Sequence, residues 1–128
     1  MSRALRAGAA YFALVFALGF VMGTARVLAL APILGETRAT LIELPVMLAA
    51  SWLLCGWCVR RFGVPAASAD RATMGAFAFA LLMLAEASLS ILGFGRSFAE
   101  HLARYGEAGP ALGLAAQIAF AAFPVVRR

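Results

Sequence analysis

The sequence predicts an all-α protein, namely an integral membrane four-helix bundle with a short interfacial amphipathic helix between its third and fourth spans. Of its 128 residues, 64% are hydrophobic and only 13% are charged, whereas a soluble domain is about half apolar and about a quarter charged. A chain this short cannot bury so much apolar surface in a soluble core. The remainder must face lipid, so we expect a single transmembrane domain over residues 1–128.

Four apolar stretches have about the length needed to cross the hydrocarbon core of a bilayer, which takes about 17–25 helical residues. These spans are predicted at about residues 8–30, 41–58, 72–95 and 110–126. The first apolar stretch is longer than the core of a signal peptide, which has about 7–15 residues, so we expect it to be retained as a span.

The connections between the predicted spans contain residues that end and begin helices. Pro32 and Gly35 are expected to end the first helix, and the turn Gly63-Val64-Pro65 is expected to end the second. Ser68 or Asp70 is expected to cap the third helix, because both side chains accept hydrogen bonds from free backbone N–H groups.

The outer loop between the third and fourth spans contains the predicted amphipathic helix. Ser97 and Glu100 have the spacing of a capping box, which marks a helix start. Phe98, Leu102 and Tyr105 follow at helical spacing and share one face. Such a helix is expected to lie in the membrane interface and to anchor the loop.

The distribution of arginines predicts the orientation of the chain. All eleven basic residues are arginine, and the net charge is +5. They occur singly or in pairs without a basic stripe, so nucleic acid is not an expected partner. Both termini are predicted to be cytoplasmic in a bacterial inner membrane, because basic residues concentrate on that side. That side would carry Arg3, Arg6, Arg60, Arg61, Arg71, Arg127 and Arg128, against Asp70 as its acidic residue.

Three ionisable residues lie within or at the edge of predicted spans near the outer side: Arg26, Glu43 and Glu86. Charges at membrane depth are costly and usually face other helices and pair. We therefore expect an intramembrane polar cluster in which Arg26 pairs with Glu86, Glu43 or both. The preferred interpretation is structural, with a relay for protons or ions as the alternative. Thr40 and Glu43 also have capping-box spacing, and Pro45 is expected to kink the second span.

Small residues share helical faces with these charges. Gly19 and Gly23 lie on the same face as Arg26, while Ser90 and Gly93 lie on the same face as Glu86. Small residues allow close helix contact in membranes. We expect these positions to pack helices within the chain or between copies of it.

Other motifs are weaker. Cys55 and Cys58 form a C-x-x-C pattern, but they occur near the cytoplasmic end of a span rather than at a helix N-terminus, where a redox pair usually lies. His101 is interpreted as a surface residue of the outer helix. No catalytic residue, metal site or cofactor is predicted.

The first half of the chain resembles a family of small uncharacterised bacterial four-helix inner-membrane proteins. The residues that carry the resemblance follow the pattern GF-x-x-GT-x-R at 19–26, P-x-x-GE at 32–36 and E-x-P-x-M at 43–47. The resemblance implies four helices with a polar centre in the first two, and no activity. Gly19, Gly23 and Arg26 also loosely resemble the glycine-rich first helix and the arginine of fluoride channels, but this chain lacks the Asn that those channels have in the second span. The small multidrug transporters differ by having their essential Glu in the first helix.

The function expected from the sequence is that of a non-enzymatic accessory or interaction component of a bacterial inner membrane. Its partners would be the lipid bilayer and either further copies of the chain or a larger membrane complex. The alternative is a small oligomeric channel or proton-coupled transporter that uses Glu86 together with Arg26. A thiol oxidoreductase using Cys55 and Cys58 comes third.

Overall fold

The computed structural model describes residues 2–93 and 95–127, apart from the side chains of 36–37 and 108–110. In these residues the chain is helical with no strand, which confirms the predicted all-α class. The four longest helices are α1 (Arg3–Ala25), α3 (Glu36–Phe62), α4 (Ser68–Ser88) and α6 (Ala108–Val126). The shorter elements are α2 (Ala31–Leu34), α5 (Phe98–Ala103), π-helical turns at Arg26–Leu30 and Leu89–Gly93, and a 3₁₀ turn at Arg104–Gly106.

Three stretches are long and apolar enough to cross a membrane: Arg3–Leu34, Arg38–Phe62 and Ser68–Gly93. A fourth span would consist of two pieces, Phe98–Gly106 and Ala111–Val126, which are bent by 92°. The helices extend beyond the apolar stretches identified from the sequence, because polar residues at their ends continue the helical hydrogen bonding.

Two glycines end helices as predicted. Gly35 has φ 85° and separates α2 from α3, and Gly63 has φ 63° and ends α3. Positive φ angles favour glycine, which has no Cβ to clash with the backbone. The predicted helix end at Pro32 is wrong, since the chain continues in helical conformation from the π-helical turn through Pro32, and α2 ends at Gly35.

Two predicted helix starts are wrong. The expected capping box at Thr40 does not begin a helix, because α3 already begins at Glu36, directly after the turn at Gly35. Ser68 and Asp70 do not cap α4, since Ala67 occupies the N-cap and both residues lie in the first turn. The carboxylate of Asp70 there is favoured by the helix dipole.

The predicted capping box of the outer helix is confirmed. Ser97 Oγ accepts a hydrogen bond from the Glu100 N–H at 3.1 Å, and Glu100 Oε1 accepts one from the Ser97 N–H at 3.1 Å. Phe98 and Leu102 point away from the rest of the protein and are exposed. The interpretation of His101 as a surface residue is wrong, because α5 turns this side chain inward and leaves it 6% exposed.

The long helices pack most tightly in the half of the molecule that contains both ends of the chain, which we call the packed half. Helix α1 contacts α3 and α4, and α6 contacts the same two helices from the other side. Tyr11 joins α1 to α6, since its hydroxyl donates to the Phe120 carbonyl at 2.7 Å and the two rings stack. The core in this half comprises Ala4, Ala7, Tyr11, Val15, Cys55, Cys58, Val64, Met74, Ala78, Leu82 and Phe120.

Arg71 lies inside the packed half, although its position in the sequence predicts one of the arginines of the cytoplasmic side. Its side chain is 5% exposed. The guanidinium donates to the carbonyl oxygens of Pro65 at 3.1 Å, Pro124 at 3.3 Å and Val64 at 3.4 Å. Carbonyls in loops and at helix ends have no helical partner. Arg71 therefore joins the loop after α3 to the last turn of α6.

The closest helix contacts occur at glycines other than those predicted. A Cβ on Gly8 would lie 2.8 Å from the Met74 carbonyl oxygen, and one on Gly75 would overlap the Ala121 carbonyl oxygen. A Cβ on Gly19 would instead be 3.5 Å from its nearest neighbour, and one on Gly23 would be 3.9 Å away. A role for Gly19 and Gly23 in contacts between copies of the chain stays a prediction.

Candidate functional site

Between the halves of the helices farther from the termini lies an open chamber of about 1270 Å³, lined by both apolar and polar side chains. Its floor is formed by Val15, Leu82 and Phe120, which also belong to the core of the packed half. The chamber therefore ends where the tight packing begins. Its polar lining includes Arg26, Glu43, Ser51, Glu86, Arg96, His101, Arg104, Tyr105 and Gln117.

On one wall of the chamber, Arg26 forms an ion pair with Glu43. The distance from Arg26 Nε to Glu43 Oε2 is 2.6 Å, and the two side chains are 21% and 14% exposed. Arg26 begins the π-helical turn at the end of α1, and such turns are common at functional sites. Of the two partners expected for Arg26, the structure places Glu43 against it. This ion pair connects the end of α1 to α3.

On another wall of the chamber, Glu86 is held by Tyr105, a partner that helical spacing along α4 does not indicate. The Tyr105 hydroxyl donates to Glu86 Oε2 at 3.2 Å, which links α4 to the 3₁₀ turn before α6. A phenol is protonated at neutral pH, so Tyr105 can keep donating to Glu86.

His101 extends this contact. Its Nε2 lies 3.5 Å from the Tyr105 oxygen, and the two rings meet edge to face. When Nε2 carries the proton, the imidazole can donate a hydrogen bond to the Tyr105 oxygen while the Tyr105 hydroxyl donates one to Glu86. His101, Tyr105 and Glu86 therefore form a hydrogen-bonded chain that runs from a buried imidazole to a carboxylate.

Two buried polar atoms on the chamber wall lack a hydrogen-bond partner within residues 2–93 and 95–127: His101 Nδ1 and Gln117 Oε1. Buried polar atoms are nearly always paired, so an orphaned one points to water or a ligand. Both residues line the chamber. They supply hydrogen-bonding capacity that the described part of the protein does not use.

The predicted packing residues Ser90 and Gly93 lie in the second π-helical turn, which follows Glu86 on α4. Ser90 is 3% exposed, and its Oγ accepts a hydrogen bond from Arg96 at 3.1 Å. Gly93 is exposed. Ser90 thus fixes an arginine that lines the chamber, a contact that spacing within a helix does not reveal.

The two cysteines lie outside the chamber, in the packed half. Both are free thiols with 0% exposure. We expect neither thiol of the folded protein in detergent to react with a maleimide, and both to react after denaturation, as measured by intact mass. Rapid labelling of either cysteine before denaturation would contradict this packing and would favour a thiol reaction at this site.

Within its described residues, the chain has no group of three or more His, Cys, Asp or Glu side chains placed to hold a metal ion. The fold and chamber define the class of protein as an all-helical chain with three or four helices long and apolar enough to cross a membrane. Comparison with protein-family models, curated proteins and solved structures gives no match.

Proposed function

We propose that this chain is an integral protein of a bacterial inner membrane, in which α1, α3, α4 and α6 form a four-helix bundle. Its apolar helices support insertion into a bilayer. Its orientation would follow the arginines near the packed end, with both termini cytoplasmic. The chamber would then open on the opposite, periplasmic side.

We further propose that the protein is a proton-coupled transporter of a small polar solute, with Glu86 as its titrating group. The observation that supports this is an open chamber whose lining includes Glu86 together with other charged and polar side chains. A carboxylate inside a membrane protein usually marks a path for ions or protons. The packed half closes the other end, so the geometry favours alternating access over a permanently open pore.

The two walls of the chamber would have different roles in this mechanism. The charges of Arg26 and Glu43 already neutralise each other in a short ion pair, so these two residues would hold α1 against α3. Glu86 has a neutral partner in Tyr105, so this contact does not neutralise the charge of its carboxylate.

Proteoliposomes containing a pH-sensitive dye would test the proposal with a panel of amino acids, organic cations and organic anions. In the wild-type protein, we expect at least one solute to change the internal pH. Glu86→Gln should abolish this change because glutamine cannot bind and release the proton. Asp70→Asn, which removes a carboxylate at the other end, should retain it.

The outcomes of this experiment separate transport from a structural role. If Glu86→Gln transports as well as the wild type, Glu86 is not the titrating group. If Glu86→Gln cannot be purified as a monodisperse protein, a structural role of the carboxylate is favoured.

A second candidate is the accessory or interaction component expected from the sequence. Large apolar side chains remain exposed around the chamber end: Leu28 is 74% exposed, Ile33 81% and Leu92 84%. Such side chains can contact another membrane protein as well as lipid. A folded wild-type protein that moves protons with none of the solutes would favour this role.

A further inference from the structure

A second cavity lies at the packed end of the molecule, away from the chamber. It is a groove of about 450 Å³ between α3 and the end of α6. Its lining comprises Trp52, Gly56, Val59, Arg60, Val126 and Arg127. Trp52, Gly56 and Arg60 are spaced four residues apart, so they follow one face of α3 over about 12 Å.

Arg127 lies across this groove rather than extending away from the protein. Its guanidinium carbon is 4.8 Å from the centre of the Trp52 ring. The ring itself is held edge-on by Phe123 at 5.2 Å. A Cβ on Gly56 would overlap the guanidinium, so the absence of a side chain at position 56 provides the space that Arg127 occupies.

The positive charge in this groove has no acidic counterpart among the described residues. Among the side chains that the structure describes, no carboxylate forms an ion pair with Arg60 or Arg127, and Asp70 is the acidic residue at this end. The Trp52 ring compensates Arg127 only in part, through a cation–π contact. An arginine that reaches along an apolar helix face therefore attracts an anion.

We propose that this groove binds an anionic phospholipid, with the phosphate between Arg60 and Arg127 and an acyl chain along α3. Arg60 supplies charge at the end of the groove and Arg127 supplies charge within it, while Trp52, Val59 and Val126 supply apolar surface. This combination fits an amphiphile better than a free phosphate ion. Basic grooves on the cytoplasmic side of membrane helices bind lipid headgroups in this way.

The site depends on the membrane insertion proposed above but is independent of transport. Native mass spectrometry of the detergent-purified protein, titrated with phosphatidylglycerol or with phosphatidylcholine of the same acyl chains, would test it. We expect phosphatidylglycerol to be retained in preference to phosphatidylcholine. Arg127→Gln should lower retention about fivefold, the effect of one arginine near a phosphate.

Gly56→Ala provides the sharper test, because it preserves every charge and displaces only the Arg127 side chain. It should reduce phosphatidylglycerol retention as much as Arg127→Gln does. Arg61→Gln removes a neighbouring arginine that does not line the groove, and it should retain the lipid. Glu86→Gln should also retain it, so failure of the transport proposal would not affect this result.

Three results would overturn the proposal. They are equal retention of the two lipids by the wild type, unchanged retention in both Arg127→Gln and Arg60→Gln, and displacement of the lipid by millimolar inorganic phosphate. The last would identify a phosphate site without an acyl-chain groove. If Gly56→Ala does not fold, as judged by circular dichroism, the two arginine variants decide the outcome.

Discussion

Arg71→Ala is expected to destabilise the protein more than truncation of any exposed arginine. The substitution removes the donors for the Val64 and Pro124 carbonyls inside the packed half, and for the Pro65 carbonyl at its edge. A buried carbonyl left without a partner costs about 1–3 kcal/mol. The total loss should be on the order of 3 kcal/mol or more.

Thermal unfolding in detergent, followed with a thiol-reactive fluorophore, would measure this effect through exposure of Cys55 and Cys58. Arg71→Lys should also lower the midpoint, because a compact ammonium group cannot reach three carbonyls as a planar guanidinium does. Arg6→Ala is the matched control, since Arg6 is exposed on α1 and its loss should be nearly neutral. A wild-type midpoint for Arg71→Ala would refute the bridging role of this residue.

The features that could be predicted from the sequence are local ones. Gly35 and Gly63 end helices because positive φ is a property of one residue. The capping box of Ser97 and Glu100 closes within four residues. The helical class follows from apolar runs that need no knowledge of their neighbours. Each of these depends on chemistry confined to a single turn or helix.

The contacts of the chamber could not be predicted in the same way. Glu86 and Tyr105 are separated by 19 residues, and their contact depends on how α5 and the 3₁₀ turn lie against α4. The same placement of α5 turns His101 inward. Its spacing of four residues from Tyr105 was the signal that could have linked the two, because residues at that spacing share a helix face.

The partner of Arg26 illustrates how far charge pairing can be read from sequence. Apolar runs place Arg26, Glu43 and Glu86 at a similar level, which is enough to expect an ion pair. The choice of partner depends on how each helix is rotated. That rotation is set by packing between helices and is not contained in the spacing along any one of them.

Gly75→Ala is expected to have the other large effect on stability, because it forces α4 and α6 apart. The added methyl group would overlap the Ala121 carbonyl oxygen. That atom belongs to the backbone and cannot move aside as a flexible side chain can. Overpacking in a tight contact costs about 1–3 kcal/mol, and more where the backbone must move.

Gly113→Ala is the matched control for Gly75→Ala. Gly113 also lies in a helix, but a Cβ there would meet nothing within 4 Å. Alanine at position 113 should therefore stabilise the protein by about 0.5–1 kcal/mol, since it favours the helix over glycine. The same thermal unfolding assay should show opposite shifts for the two variants. Equal midpoints would mean that α4 and α6 do not meet at Gly75, and the packed half that closes the chamber would require a different arrangement.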